Sequence, residues 1–490
     1  MNPTVVLSTA VAVAAAAYAF KPKKKTELEA KSVPIPEPKS YLPLQIDSVV
    51  GYIYNMLRGQ DELEMLLRDM KVYGNTINFR GLNDNFIVVT DPSSIQHILA
   101  KNQPNYEKGP FFKEIFHDFL GSGIFNADGE TWKSQRQVAR PHFQTSEFKD
   151  AALINKHVDG LLVLIDKHIA TKPDTPLEVQ NVFCRFTLDE ASEFLFGATV
   201  DALKNEQTEF STAFNYAQTM TAWRFRIPFW KYILPRRRML AEIKKLDDFV
   251  YKIIDDARAR QAARAQEKKE SGKEYEEEED GRRDTLLDHF LSQQDEDGFD
   301  SKYLRDMLLN FLLAGRDTTA SLLSWTTWKL VQHPKVLEKL YQEIVQVIGP
   351  DRVPGYEDIK KLKESVEEDV LPNGYYIPAG SPVSYCAYAT HRLPELWGDD
   401  ALEFDPDRWG PERVGKIRPF MFVPFHAGPR ICLGQNLAYT TAQLALTRLL
   451  QRYDIKASPG FEPHQLGDIV MFSRNGVEVL ISHKRPANEF

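Results

Sequence analysis

Cysteine is scarce in this chain, with three residues in 490: Cys184, Cys386 and Cys432. That scarcity excludes a disulfide-built scaffold and favours a reducing compartment. The sequence also lacks internal repeats, a glycine-rich phosphate loop and the paired Cys/His spacing of a zinc site. The net charge of −8 gives no sign of nucleic acid as a partner. What the chain has instead is apolar bulk, 43% hydrophobic residues with 29 phenylalanines, enough for a large core.

Charged residues are absent from residues 4–20, a run of 17 residues near the lower length limit for a membrane span. The lysines just after it favour a cytosolic position for the rest of the chain. We therefore predict a membrane anchor over residues 1–20 with a lumenal N-terminus, and a basic, proline-rich linker over residues 21–45. A single large domain is expected over residues 46–490. A mitochondrial presequence is the alternative, and the lack of arginine in the run weighs against it.

Hydrophobic periodicity predicts a mainly α protein with small β-sheets, an α+β fold class. Residues 76–91 suggest two short strands around an Asn-Asp-Asn turn. Helical patterns dominate the chain after these strands and include the longest apolar helix, residues 302–331. Asn373-Gly374 between apolar residues predicts a hairpin. Residues 433–452 predict an amphipathic helix near the C-terminus.

The sequence FHAGPRICLG, which begins at Phe425, surrounds Cys432 with residues suited to haem binding. A thiolate is a strong ligand for haem iron, and the N-terminus of the following helix favours its negative charge. Gly428 allows a tight turn, Gly434 allows close approach to a flat macrocycle, and Arg430 offers a cation for a propionate. The alternative is a buried core cysteine. The length of the pattern, with every anchor present, weighs against it.

The longest apolar helix carries polar residues at its centre, which cost free energy unless they are satisfied and therefore often mark function. Ala314 and Thr318 are four residues apart and share one face. Gly315 leaves a gap in the side-chain surface where a small ligand could fit. Asp317 adds a carboxylate beside them. For Thr319, a hydrogen bond back to its own helix is the simpler interpretation.

The loop around Cys432 resembles the cysteine loop of the cytochrome P450 haem-thiolate monooxygenases. The segment from Ala314 to Thr319 resembles the acid–alcohol pair of the same family, in which Asp317 and Thr318 would deliver protons to dioxygen. Trp132 and Arg136, four residues apart on one helix face, resemble the family's propionate-binding helix. The segment FDPDRW resembles the motif before the cysteine loop, so Arg408 should be structural.

This resemblance implies a single large haem domain with the cytochrome P450 fold and haem b held by the Cys432 thiolate. It also implies monooxygenation of a C–H bond with O2 and with NAD(P)H electrons from a separate membrane-bound reductase. Cytochrome b5 is a further candidate donor. With the anchor, the expected location is the endoplasmic reticulum membrane, with the catalytic domain in the cytosol. Residues 125–143, 186–197 and 314–319 resemble fungal microsomal alkane and fatty-acid hydroxylases. A long alkane or fatty acid is the first substrate expectation, and a polycyclic aromatic hydrocarbon the second.

One motif of the family, E-x-x-R on a helix ahead of Arg408, is missing. Its single occurrence here, Glu279 to Arg282, lies in a charged run before the longest apolar helix, and we assign it no role. About two dozen residues of the family pattern are absent near residues 363–370, as an omitted exon or an incomplete gene prediction would cause. Breaking a buried charge network typically costs about 3–5 kcal/mol out of a total stability of about 5–15 kcal/mol. We therefore expect the chain to hold haem poorly or not at all, with Arg408 deprived of its usual partners.

Two other functions stay open. One is a catalytically impaired or dead haem-fold variant, or a truncated gene prediction, because the E-x-x-R helix is absent. The other is a haem-thiolate isomerase that rearranges peroxides without a reductase. The Asp317-Thr318 pair argues against the isomerase, because such an enzyme has no need to protonate dioxygen.

Overall fold

The structure is a computed structural model. It describes the parts of the chain numbered 26–39, 61–80, 85–144, 149–227, 230–271, 285–292, 299–347, 363–365, 369–467 and 469–484. The predicted anchor lies outside the described residues, as do part of the predicted linker and the E-x-x-R occurrence in the charged run. Within the described ranges, no helix combines the length and apolarity that a bilayer crossing requires.

Helices make up most of the described chain, which confirms the predicted mainly α fold with small sheets. In chain order they are α1 (Glu27–Ala30), α2 (Glu62–Tyr73), α3 (Pro92–Gln96), α4 (Gly109–Leu120), α5 (Gly129–Gln144), α6 (Lys149–Thr171), α7 (Val179–Phe196), α8 (Glu209–Arg226), α9 (Trp230–Ile233), α10 (Arg236–Ser271), α11 (Leu286–Ser292), α12 (Ser301–Gln332), α13 (Pro334–Val347), α14 (Ala387–Thr390), α15 (Pro394–Trp397), α16 (Pro411–Val414) and α17 (Gln435–Arg452). A π-helical turn, His97–Lys101, continues α3.

The strands are short. In chain order they are β1 (Thr76–Arg80), β2 (Asn85–Val89), β3 (Tyr106–Glu107), β4 (Leu177–Glu178), β5 (Lys363–Ser365), β6 (Asp369–Val370), β7 (Tyr376–Ile377), β8 (Pro382–Tyr385), β9 (Tyr453–Ala457), β10 (Gln465–Gly467), β11 (Met471–Ser473) and β12 (Glu478–His483). The largest sheet has the order β1-β2-β8-β5-β3, and a three-stranded sheet has the order β4-β12-β9. The two predicted strands of residues 76–91 are confirmed as the antiparallel pair β1 and β2.

In the stretch where the sequence pattern predicts that the E-x-x-R helix is missing, the described residues form β5 and the β6–β7 hairpin. β5 pairs antiparallel with both β3 and β8, so the sheet is continuous across that point. The predicted hairpin at Asn373-Gly374 is confirmed, and Gly374 adopts φ +87°, which glycine tolerates without strain.

Helix α12 is the central element, and it confirms the prediction for residues 302–331. The Asp300 carboxylate caps its start by accepting a hydrogen bond from the Tyr303 amide at 2.6 Å. Its closest neighbour is α7, and a Cβ on Gly315 would lie 3.2 Å from the Ala191 Cβ. The absent side chain of Gly315 therefore serves close helix packing, which the sequence did not indicate. The two largest hydrophobic clusters share α12, so it carries one wall of the site between them.

Candidate functional site

A large cavity lies between α5, α7, α12, α17 and the loop around Cys432. Its empty space of about 1210 Å³ is partly open to solvent. Its lining is mostly apolar and includes Ile124, Phe125, Phe143, Phe194 and Phe311. A space of this size and character suits a large, flat, mainly apolar group.

The cysteine loop forms one wall of this cavity. Cys432 and Gly434 both line it, and all three cysteines of the chain lie in described residues outside any disulfide. α17 begins at Gln435 with Gly434 as its N-cap, two residues later than predicted. Cys432 therefore precedes the first helical turn, close to amides that an anion would satisfy.

Two other loop residues, Gly428 and Phe425, lie behind the cavity wall and outside its lining. Gly428 adopts φ +68°, and a Cβ there would lie 2.1 Å from the Leu99 carbonyl oxygen in the π-helical turn. The predicted tight turn at Gly428 is therefore confirmed, and close backbone contact adds a second reason for glycine. Phe425 is buried against the Tyr439 ring at 5.5 Å between centroids and is not part of the cavity lining.

Arg430 lines the cavity and is anchored to the chain before α5. Its Nη2 lies 2.6 Å from the Asp128 Oδ1, and both side chains are almost fully buried. Its guanidinium also donates to the Ala127 carbonyl at 3.1 Å and stacks 4.4 Å above the Trp132 ring. Burial lowers the pKa of Arg430, although the ion pair with Asp128 opposes that effect.

Arg136 is the second cation of this wall. It lies one turn after Trp132 on α5, both residues line the cavity, and its guanidinium donates to the Ile431 carbonyl in the cysteine loop. Burial, with repulsion from Arg140 and Arg430, lowers the pKa of Arg136 to about 10. The predicted pairing of Trp132 and Arg136 on one helix face is thus confirmed.

These residues fit a haem. The Arg430 Nε is buried and has no hydrogen-bond acceptor within the part of the chain that the structure describes. Arg136 and Arg430 repel each other at the cavity wall, so an anionic group between them would relieve both conditions. Propionates are such groups, and Cys432 on the same wall supplies the thiolate that haem iron accepts.

The α12 wall differs in detail from the prediction. Ala314, Gly315 and Thr318 line the cavity, as their spacing indicated, and Thr319 joins them. The hydroxyl that bonds back to its own helix is that of Thr318, which donates to the Ala314 carbonyl at 2.6 Å. The sequence had favoured Thr319 for this bond.

Asp317 does not line the cavity. It is fully buried behind the α12 wall, where its Oδ1 lies 3.0 Å from the Arg316 Nη1. Arg316 in turn donates to the Gln218 and Asn215 side chains of α8 at 3.2 and 2.5 Å. The structure therefore places the carboxylate one residue from Thr318 but on another face of the helix.

Two nitrogen-bearing side chains of the cavity lining were not predicted from the sequence. Lys108 is buried at the cavity edge near Arg430, and no sequence pattern marked it. His426 lies within the ten-residue cysteine pattern and also lines the cavity, with its Nδ1 2.7 Å from the Ala427 carbonyl. The backbone φ of +63° at His426, in a buried loop, was not predictable from the sequence. With Arg136 and Arg430, these two make one side of the cavity cationic or hydrogen-bonding.

Arg408 is not left unpaired, as the missing motif led us to expect. Its Nη2 donates to the Asp400 backbone carbonyl at 2.7 Å and lies 3.2 Å from the Asp400 carboxylate. Its Nη1 donates to the Trp397 carbonyl at 3.3 Å. Groups close in sequence therefore satisfy Arg408 in place of a distant Glu-Arg pair.

Comparison with known proteins gives consistent matches. The sequence profile named Cytochrome P450 matches residues 48–364 and 363–477. Cytochrome P450 86B1 of Arabidopsis thaliana is 30% identical over 90% of this chain and 86% of that protein. Cytochrome P450 monooxygenase himC of Aspergillus japonicus is 33% identical over 85% and 78%, respectively. Alkane hydroxylase MAH1 of Arabidopsis thaliana is 30% identical over 81% and 84%. The chain belongs to the cytochrome P450 family of monooxygenases, which implies a haem cofactor, dioxygen, a redox partner and a hydrophobic substrate.

Proposed function

We propose that this protein is a haem-dependent monooxygenase that inserts one atom of O2 into a C–H bond of a long-chain alkane or fatty acid. The observation that carries the proposal is that Cys432 and Thr318, from segments far apart in sequence, line the same large apolar cavity. The relative named alkane hydroxylase supports the substrate class. A polycyclic aromatic hydrocarbon is the second substrate candidate.

Haem b, held by the Cys432 thiolate, would supply the activation of dioxygen. Arg136 and Arg430 bind its propionates, and Lys108 lies at the same edge of the cavity. Trp132 supports the Arg430 guanidinium from below its plane. Gly428 lets the loop backbone contact the Leu99 carbonyl, Gly434 leaves space beside the Cys432 Sγ, and Phe425 packs against the Tyr439 ring. Arg136, Arg430 and Cys432 would bind and orient the cofactor, and Gly428 and Phe425 support the cysteine loop from behind.

Thr318 and Asp317 handle protons. The Thr318 Oγ1 lines the cavity, and it can accept a hydrogen bond while it donates to the Ala314 carbonyl. Asp317 holds its charge beside Arg316, which extends toward the exposed Asn215 of α8. In this proposal, Asp317 receives protons from the solvent-exposed side at Asn215, and Thr318 delivers them into the cavity at its Oγ1. Gly315 and Ala314 keep the adjacent wall free of bulky side chains.

The partners belong to the same proposal. Electrons come from NAD(P)H through a membrane-bound reductase, with cytochrome b5 as an additional donor, at the cysteine side of the haem. Residues 1–20 anchor the chain in the endoplasmic reticulum membrane with the N-terminus in the lumen, and residues 46–490 form the cytosolic domain. The Lys133 and Arg140 side chains, exposed on α5 next to Arg136, support a docking face for an acidic partner.

A catalytically impaired variant is the second candidate. The family profile matches in two stretches that meet at residues 363–364, where the sequence lacks the E-x-x-R helix. This break supports an absent segment, and among the residues that the structure describes Arg408 pairs with groups close in sequence only. Such a chain would keep the fold and hold haem weakly.

The test is a comparison of the full chain, expressed with haem supply, with Cys432→Ser and with Cys386→Ser as the matched control. We expect a thiolate ferrous–CO Soret band in the wild type and the control and its loss in Cys432→Ser. Serine at position 386 retains a cap for α14, where the Cys386 Sγ accepts from the Ala389 amide. Turnover of laurate to a hydroxylated product with NADPH and reductase supports the first candidate. A band without turnover, or weak haem retention, supports the impaired variant. A folded wild type without any band contradicts the first candidate and supports the impaired variant.

A further inference from the structure

The loop between α4 and α5 forms a separate wall of the cavity. Its residues Ile124 and Phe125 line the cavity, although the loop has no regular secondary structure of its own. Loop backbone is mobile unless its amides and carbonyls are held by other groups. The position of this apolar wall therefore depends on what binds the loop.

Two side chains of α12 bind it. Asp306 and Asn310 are one turn apart and almost fully buried. The Asp306 Oδ2 accepts a hydrogen bond from the Ser122 amide at 2.9 Å, and the Asn310 Oδ1 accepts one from the Phe125 amide at 3.0 Å. The Asn310 Nδ2 donates to the Leu120 carbonyl at 2.8 Å. The first part of the loop, up to Phe125, is thereby attached to the central helix.

The loop glycines match these side chains. Gly121 adopts φ +58°, and a Cβ there would lie 2.1 Å from the Asp306 carboxylate. A Cβ on Gly123 would lie 2.2 Å from the Asn310 Nδ2. No side chain fits at either position while the hydrogen bonds exist. The glycines thus allow the loop to rest directly on Asp306 and Asn310.

Asp306 is itself held in place. The Lys302 Nζ lies 2.6 Å from its Oδ2, and the Arg305 Nη1 lies 3.0 Å from its Oδ1. Arg305 also pairs with Asp247 of α10 at 2.6 Å. From the opposite side, the Gln135 Nε2 of α5 donates to the Ser122 carbonyl at 2.9 Å. The acceptors for the loop amides are therefore part of a network that spans three helices.

We propose that Asp306 and Asn310 are positioning residues that fix Ile124 and Phe125 in the cavity wall and thereby determine which apolar molecules fit. This inference rests on the proposed function only for the class of molecule. While the loop is attached, Ile124 and Phe125 have fixed positions, and the cavity discriminates between extended hydrocarbon chains and aromatic rings. With the loop released, Ile124 and Phe125 withdraw and the selection weakens.

The experiment uses the full chain, expressed with haem supply, and the variant Asn310→Leu. Asn155→Leu is the matched control. The Asn155 Nδ2 donates to a backbone carbonyl one turn earlier in α6, as the Asn310 Nδ2 does to the Asp306 carbonyl in α12, and Asn155 lies outside the cavity lining. Asn310→Asp is the conservative variant, which keeps the acceptor for the Phe125 amide and loses the donor to Leu120. Amide hydrogen exchange is measured at Ser122 and Phe125, and equilibrium dialysis gives dissociation constants for laurate, palmitate and pyrene.

In Asn310→Leu we expect exchange at Phe125 to accelerate at least about tenfold, because a buried amide loses its acceptor. The ratio of the pyrene and palmitate dissociation constants should change by about tenfold, the range a pocket wall contributes to discrimination. Asn310→Asp should restore most of both values, and Asn155→Leu should match the wild type.

Unchanged exchange at Phe125 would overturn the attachment of the loop. Faster exchange with an unchanged ratio of dissociation constants would overturn the role in selection and leave the proposed function intact. If the wild type binds neither laurate, palmitate nor pyrene, the proposed substrate class fails, and the claim of selection fails with it.

Discussion

Arg430 and Arg408 are two buried arginines on either side of residues 410–428, and their surroundings differ. Arg430 pairs with Asp128, whose side chain is 4% exposed and is also bound by the Lys113 Nζ at 2.9 Å. Arg408 pairs with Asp400, whose side chain is 42% exposed. The partner of Arg430 comes from 302 residues away in sequence, whereas that of Arg408 is 8 residues away.

The cysteine loop is therefore held by a partner distant in sequence, whereas the segment around Arg408 is held by a partner close in sequence. A buried ion pair leaves an uncompensated charge when one partner is removed, so it tolerates little change. A pair with a half-exposed partner can exchange its contacts for water. The cysteine loop, which retains every family anchor, belongs to the first kind. The segment around Arg408, which lacks its E-x-x-R partners, belongs to the second.

The largest expected effect comes from adding one methyl group in each region. Gly428→Ala places a Cβ 2.1 Å from the Leu99 carbonyl at a positive φ. We expect the free energy of unfolding to fall by about 4–5 kcal/mol, the upper range for a single substitution. Gly415→Ala, next to α16, has no atom within 4 Å of its Cβ and a helical φ of −66°, so a gain of about 0.4–1 kcal/mol is expected. Urea unfolding measures both, and equal effects would contradict the comparison.

Removing the carboxylates is the second test. Asp128→Ala leaves Arg430 buried without its ion pair, and we expect a loss of about 3–5 kcal/mol in urea unfolding. Asp400→Ala should cost much less, because Asp400 is solvent-exposed and Arg408 keeps the backbone acceptors at Trp397 and Asp400. A larger loss for Asp400→Ala would show that Arg408 is the more critical arginine.

The smallest effect concerns Asp369, which binds the segment that supports Gly428. It begins β6, just after the point where the E-x-x-R helix is missing, and its Oδ2 accepts from the Tyr106 hydroxyl at 2.6 Å and the Asn102 amide at 2.9 Å. His97, in the turn that supports Gly428, lies 2.7 Å away. Burial alone would raise the pKa of Asp369, but the hydrogen bonds from Tyr106, His97 and Asn102 outweigh it and lower the pKa.

Because this pKa is lowered in the folded state, Asp369 stabilises the fold above about pH 4, the ordinary carboxyl value. That contribution disappears as the pH falls from there through the lower native pKa. We expect Asp369→Asn to lose about 1 kcal/mol at neutral pH and to approach the wild type in acid. Tyr106→Phe should move the acid loss to higher pH. A constant difference between wild type and Asp369→Asn at every pH would contradict this assignment.

Much of the fold and of the site was predictable because it depends on neighbours in sequence. The polar centre of α12 and the pattern around Cys432 both lie in single segments. Helical spacing identified Ala314 and Thr318, and the pattern of the cysteine loop identified Arg430 and Cys432. Thr318 was placed correctly on the wall, but the bond to Ala314 was assigned to Thr319, since both hydroxyls reach a carbonyl one turn earlier.

The residues that were missed depend on distant segments. Lys108 entered the cavity lining only because the chain before α4 folds beside the cysteine loop. Gly315 was interpreted as space for a ligand, and the structure also uses it for contact with Ala191. The local pairing of Arg408 with Asp400 replaced a motif that the sequence lacks.

The sequence by itself determined the family of this protein and the candidate residues of its site, because Cys432 with its glycines and Asp317 with Thr318 each lie within one short segment. Tertiary structure alone decided which of these groups share a cavity, that Asp317 lies behind its wall, and that Asp306 and Asn310 hold the opposite loop. The physical reason is burial. A hydrogen bond or ion pair between segments hundreds of residues apart forms only when packing brings them together and removes water from between them.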